Sequence, residues 1–128
     1  MPTYRILSLD GGGLRGLITA RLLQRLDAMP GIGGWLGRAD LLVGTSTGGI
    51  LALGLAAGQS PQAMGDIYSQ HGAAIFDDSI WDNLRDLGKT VGADYSAKGL
   101  KAELRRVFGD LRLQDLGCKV AIPAFDLD

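Results

Sequence analysis

Short apolar runs in this chain stop abruptly at glycine or proline, and a helical pattern follows the first two of them. One run, 4–9, ends at Asp10 and three glycines; another, 40–43, ends at Gly44; a third spans 118–122. Short apolar runs bounded in this way are typical of buried strands. Helical segments between such strands favour parallel pairing of the strands. The sequence therefore predicts an α/β domain with a mainly parallel sheet.

Two of the helical segments differ in how they distribute their apolar residues. The segment after Gly16 has apolar residues at helical spacing and ends at Pro30 and Gly31, whereas 48–57 is apolar on every side. The first pattern predicts an amphipathic helix, and the second predicts a helix that is buried against the sheet.

Two further helices are predicted from their end signals. Ser60 and Pro61 form a cap and first-turn pair for a third helix, and Ser96 is the candidate cap of a fourth helix that stops at Gly109. The residues between these helices, 73–95, give mixed signals, and we expect them to form a lid-like segment.

The composition limits the partners and the compartment. The chain has 128 residues, 46% of them hydrophobic, and a net charge of -1 without a long block of either sign. We therefore expect one domain and no nucleic-acid partner. The single cysteine, Cys118, is predicted to be a small core residue. The N-terminus lacks a secretory signal, and the longest apolar stretch, 50–57, is too short to span a bilayer, so we expect a cytoplasmic protein.

Residues 44–48 have the sequence Gly-Thr-Ser-Thr-Gly, which matches the G-x-S-x-G pattern of a nucleophile elbow. The pattern lies between a predicted strand and a predicted helix, which is where that mechanism requires it. The turn is so tight that the positions flanking the serine must lack side chains, which explains Gly44 and Gly48. Ser46 would then be exposed at the carboxyl end of the strand. The alternative is a serine that only caps the helix.

A second glycine-rich segment, which we call the glycine loop, spans residues 10–16 and also joins a predicted strand to a helix. Its backbone N–H groups can bind an anion. If the two strands are neighbours, both loops emerge at the same edge of the sheet, so one supplies a nucleophile and the other an oxyanion hole. Arg15 is expected either to support the loop or meet an anionic head group, or to pair with an aspartate.

The segments 10–16 and 44–49 together resemble the paired signatures of the patatin-like phospholipases. The similarity continues to the strand end at 121–126 and so covers essentially the whole chain. This resemblance implies a three-layer αβα fold and the hydrolysis of lipid acyl esters by a Ser-Asp dyad. It implies no metal or other cofactor, a lipid or acyl-ester substrate, and at most transient contact with a membrane surface.

The resemblance also assigns roles to individual residues. Ser46 matches the nucleophile of the family, and Gly11, Gly12 and Gly13 together with Arg15 match its oxyanion loop. The dyad is consistent with the poor position of the sole histidine, which we expect to be partly buried on a helix and bonded to backbone.

The dyad aspartate of the family lies in a later Asp-Gly motif, and no Asp-Gly pair follows Ser46 in this chain. Neither Asp126 nor Asp128 is assigned to that role. We expect residues 1–128 to be the N-terminal part of a single, truncated patatin-like domain. The chain alone is expected to be nearly inactive, because an unassisted serine hydroxyl is a weak nucleophile.

Two other classes of function stay open. A nucleotide-binding protein would use the glycine loop and the turn at 44–48 as phosphate cradles. Neither segment carries the P-loop lysine, and the Gly11, Gly13 and Gly16 spacing lacks a ribose-binding acid after the next strand. The third class is a non-catalytic patatin-like scaffold.

Overall fold

The fold is taken from a computed structural model, which describes residues 1–75 and 93–124. Its strands and helices alternate along the chain. In order they are β1 (Ile6–Leu9), α1 (Gly16–Asp27), β2 (Leu41–Gly44), α2 (Thr47–Ala56), α3 (Pro61–Ile75), α4 (Ala93–Phe108) and β3 (Lys119–Ala121). Short 3-10 turns lie at Gly13–Arg15, Leu36–Arg38 and Leu113–Asp115.

The described strands form one parallel sheet in the order β1-β2-β3, which confirms the predicted parallel pairing. β2 is the central strand, and Leu9 at the end of β1 is in register with Gly44 at the end of β2. Because parallel strands end at the same edge, the glycine loop and the turn after Gly44 leave the sheet side by side.

The hydrophobic core lies on one face of this sheet, where α1, α2 and α3 meet. α2 is buried as predicted, and Gly54 in it leaves no room for a Cβ beside the Met64 side chain of α3. The two helices α2 and α3 therefore pack closely against each other. The buried hydrophobic residues are Leu9, Ala20, Leu23, Leu42, Leu51, Ala52, Ala56, Met64 and Tyr68.

The opposite face of the sheet is much more exposed. Alternate side chains of a strand point to opposite faces, and Ile6, on the face away from Leu9, is 60% exposed. The prediction that the first strand is buried is therefore wrong for this face. Among the described residues, the core helices pack on the face of Leu9 and Leu42 and so provide one helical layer of the αβα fold.

The predicted cap of α3 is confirmed, whereas the predicted cap of α4 is wrong. The Ser60 hydroxyl accepts a hydrogen bond from the Ala63 N–H at 3.1 Å. α4 begins at Ala93, so Ser96 lies inside the helix rather than at its start. A cap residue favours a helix start but does not fix it, and α4 also packs against α3.

Two other predictions concern the lid-like segment and the cysteine. Residues 73–75 belong to α3 and 93–95 to α4, while residues 76–92 lie outside the described part of the chain. Cys118 is half-buried against the core, and its Sγ donates a hydrogen bond to the carbonyl oxygen of Ala39 at 3.2 Å. The expected packing role of the cysteine is thus confirmed.

Candidate active site

The turn between β2 and α2, residues 44–48, holds Ser46 in an unusual backbone conformation. Its φ is 51° and its ψ is -122°, and it is the one non-glycine residue with positive φ in the described part of the chain. Such a conformation costs about 1–3 kcal/mol and persists only where the surroundings enforce it. The Ser46 side chain is exposed and makes no capping hydrogen bond to α2.

The two glycines of the turn are required by close backbone contacts. A Cβ on Gly44 would overlap the backbone of Gly48, and a Cβ on Gly48 would overlap the carbonyl group of Leu9. The end of β1 and the start of α2 therefore touch directly. Ser46 adopts its positive φ between these two closely packed glycines.

The glycine loop lies directly against the turn at 44–48. A Cβ on Gly11 would stand 2.9 Å from the Cβ of Ser46 and 2.8 Å from the carbonyl oxygen of Thr45. Gly13 has a φ of 59°, in the region that favours glycine. The structure thus brings together the predicted nucleophile and the predicted oxyanion loop.

Two backbone donors of the glycine loop are already engaged. The Gly11 N–H donates to Thr45 Oγ1 at 3.1 Å, and the Gly12 N–H donates to Thr47 Oγ1 at 3.2 Å. The N–H groups of Gly13 and Thr47 have no acceptor among the described residues. The sequence alone predicts one role for all three glycines, but the hydrogen bonds separate Gly13 from the other two.

Arg15 supports the glycine loop from within. Its backbone N–H donates to the carbonyl oxygen of Gly12 at 3.1 Å, and its Nε donates to the same oxygen at 3.4 Å. No ion pair of Arg15 with an aspartate is present in the described part of the chain. Of the alternatives considered from the sequence, bracing of the loop is therefore the one that the contacts match.

Tyr68 of α3 contacts both segments, and the sequence motifs alone do not single it out. Its hydroxyl donates a 2.6 Å hydrogen bond to the carbonyl oxygen of Thr47. Its ring fills the space beside Gly16, where a Cβ would clash with it. The side chain is buried, and burial raises the pKa of Tyr68 well above its usual range. The phenol therefore stays protonated and remains a donor.

His71 is half-buried, as predicted, but its partner differs from the expected backbone group. Its Nδ1 lies 3.8 Å from the carboxylate of Glu103 in α4. Asp126 and Asp128 lie outside the described residues.

The described residues offer no assembled metal site, because no three His, Cys, Asp or Glu side chains converge in 1–75 and 93–124. Among the same residues, no helix is both long enough and apolar enough to cross a bilayer.

The sequence profile of the patatin-like phospholipase family matches residues 7–126. The chain belongs to this family. The match includes both the glycine loop and the turn at 44–48. The two patatin-like signatures in the sequence are therefore the segments that meet at the edge of the sheet. The mixed α/β fold with its parallel sheet agrees with membership of this family.

Several curated relatives resemble this patatin-like chain over nearly its whole length. It is 38% identical to a cGAMP-activated phospholipase from Pseudomonas aeruginosa and 36% identical to one from Vibrio cholerae, and the matches cover 97% and 96% of the chain. Patatin-like protein 1 of Oryza sativa is 33% identical over 95% of the chain. The chain spans only 37%, 38% and 32% of these three relatives. No solved structure shows a significant match.

Proposed function

We propose that this chain is the N-terminal part of a patatin-like hydrolase domain that cleaves lipid acyl esters with Ser46 as nucleophile. The observation that carries the proposal is the conformation of Ser46, whose positive φ presents an exposed side chain directly against the glycine loop. A strained serine between a strand and a helix is the arrangement of a nucleophile elbow.

The first chemical step is attack of Ser46 Oγ on the ester carbonyl carbon. The hydroxyl proton passes to a base, which we place in an aspartate outside this chain, completing a Ser-Asp dyad. The carbonyl oxygen becomes an oxyanion, and the N–H groups of Gly13 and Thr47, which have no acceptor among the described residues, can donate to it. Thr47 also begins α2, so the dipole of that helix favours the negative charge.

Collapse of this intermediate breaks the C–O bond to the alcohol, which leaves with the proton that the base took from Ser46, and an acyl group remains on Ser46 Oγ. Water then attacks the acyl-enzyme, and the base that accepted the serine proton takes a proton from this water. The fatty acid leaves and the serine hydroxyl is restored. Because we place the base outside residues 1–128, we expect these residues alone to hydrolyse an ester far more slowly than the full-length protein.

A lipid substrate is supported by the relatives, two of which are phospholipases by name. We therefore place the acyl ester of a membrane lipid as the substrate class and a transient contact with the membrane surface as part of the reaction. Activation by cGAMP appears in the names of two relatives. No contact among the described residues supports the same activation in this chain.

The alternative that Ser46 merely caps α2 is disfavoured by two features. A capping serine has an extended backbone and an oxygen that accepts an N–H of the first turn. Ser46 has neither, since its φ is 51° and its side chain makes no such bond. A nucleotide-binding role gives no reason for the strained backbone at Ser46.

A fluorophosphonate probe tests the proposed nucleophile directly. We expect the full-length protein to be labelled, Ser46→Ala to lose the label, and the control Ser69→Ala on α3 to keep it. Mass spectrometry of the labelled peptide should locate the adduct on 44–48. A non-catalytic scaffold would leave the wild type unlabelled, and that result would reject the proposal.

A further inference from the structure

Ser46 stands between two threonines, and both of their hydroxyls bind the glycine loop. Thr45 Oγ1 accepts the Gly11 N–H and Thr47 Oγ1 accepts the Gly12 N–H. These two hydrogen bonds, which we call the threonine clamp, connect segments that follow different strands. The two threonines flank Ser46 and bind successive N–H groups of the loop.

The glycine loop needs such support because glycine has the largest backbone freedom of all residues. The two hydrogen bonds restrict the loop without adding side-chain bulk near Ser46. Bulk is excluded there, since Gly11 already lies against the Ser46 Cβ. A hydroxyl on the neighbouring residues is a way to hold the loop that leaves the space above the nucleophile open.

We propose that Thr45 and Thr47 are positioning residues that fix the glycine loop and thereby keep the Gly13 N–H available to the oxyanion. This inference rests on the proposed function and assigns the two threonines a part in it. The clamp uses the Gly11 and Gly12 donors structurally, so the donor left to the reaction is the next one along the loop.

The two threonines of the clamp differ in burial. Thr47 is 1% exposed, and its carbonyl oxygen accepts the Tyr68 hydroxyl, so the residue is held at two points. Thr45 is exposed to solvent, and its backbone N–H donates to the carbonyl oxygen of Leu9 at 3.3 Å. Loss of the Thr47 hydroxyl should therefore have the larger effect on catalysis.

The test is steady-state ester hydrolysis by the full-length protein with Thr47→Val, Thr47→Ser and the control Thr19→Val on α1. Valine keeps the shape of threonine and removes the acceptor, whereas serine keeps the acceptor. We expect Thr47→Val to lower kcat by about 10- to 100-fold, a range at and below the loss of one oxyanion donor. KM should change little, Thr47→Ser should recover most of kcat, and Thr19→Val should match the wild type.

A second readout separates positioning from folding. The Gly12 amide should exchange with solvent faster in Thr47→Val than in the wild type, while amides of the core strands keep their protection. If Thr47→Val does not fold, Thr45→Val decides instead, with a kcat loss of about 3- to 10-fold that Thr45→Ser reverses.

The outcomes distinguish this inference from the function beneath it. If Ser46→Ala is inactive while folded Thr47→Val and Thr45→Val have wild-type kcat, the clamp is wrong and the nucleophile stands. If Ser46→Ala hydrolyses the ester as fast as the wild type, the proposed function itself fails.

Discussion

The Tyr68 hydroxyl donates a 2.6 Å hydrogen bond to the carbonyl oxygen of Thr47, the residue that follows the proposed nucleophile. The same ring packs beside Gly16 at the end of the glycine loop. One buried side chain of α3 thus contacts both of the segments that form the candidate site. The relative position of these segments depends on core packing as well as on their own sequences.

Replacement of Tyr68 by phenylalanine should destabilise the protein by about 0.5–1.5 kcal/mol, the net contribution of one hydrogen bond, because the Thr47 carbonyl loses the Tyr68 donor. Urea unfolding measures this change, and Tyr4→Phe is the matched control because Tyr4 is 55% exposed. Equal unfolding midpoints for Tyr68→Phe and the wild type would show that the hydrogen bond adds nothing to stability.

The stability should also fall at alkaline pH because of Tyr68. Burial raises the pKa of Tyr68 above its ordinary value of 10.0, so above this pH the unfolded chain releases a proton that the folded chain keeps. The unfolded state then binds fewer protons, and the free energy of unfolding decreases by up to about 1.4 kcal/mol per pH unit. Unfolding at pH 9 and pH 11 should show a steeper decline for the wild type than for Tyr68→Phe; parallel declines would contradict the prediction.

The strain at Ser46 predicts that Ser46→Gly is more stable than Ser46→Ala by about 1 kcal/mol, because glycine adopts the conformation of this turn without steric cost. Thermal unfolding of the two variants gives the difference directly. The same pair at Ser69, in the interior of α3, should show the opposite order, since glycine destabilises a helix relative to alanine. If alanine is also the more stable residue at position 46, the turn is not strained.

A single methyl group on the glycine loop should impair the site. In Gly11→Ala the new Cβ would stand 2.9 Å from the Ser46 Cβ, so either the loop or the turn must shift. We expect kcat for ester hydrolysis by the full-length protein to fall by about 100-fold, the loss that a small misplacement produces. Gly37→Ala is the control because a Cβ there meets nothing within 4 Å. Equal kcat for the two variants would contradict this packing.

The chain pattern alone predicts the strands and their parallel pairing, and it predicts that the two loops meet if their strands are neighbours. These features follow from local apolar periodicity and from glycines at the strand ends, both of which are visible in the sequence. The cap at Ser60 is predicted for the same reason, since it depends on neighbours along the chain. Ser96 is the opposite case, because α4 begins before it, at Ala93.

The contacts that the sequence does not reveal are long-range. Thr45 and Thr47 belong to the recognised motif, but their hydrogen bonds reach across to a loop that follows another strand. The bond from Tyr68 to Thr47 likewise depends on how α3 packs over α2. These contacts engage the N–H groups of Gly11 and Gly12 but not that of Gly13. This difference could not be predicted from the three glycines themselves.

The most direct test of the nucleophile is hydrolysis of a p-nitrophenyl acyl ester by the full-length protein, with wild type and Ser46→Ala compared at equal concentration. We expect the variant to lose at least about 1,000-fold in kcat/KM while its unfolding midpoint shows that it is still folded. Equal rates for the two proteins would contradict Ser46 as the nucleophile and the hydrolase function with it.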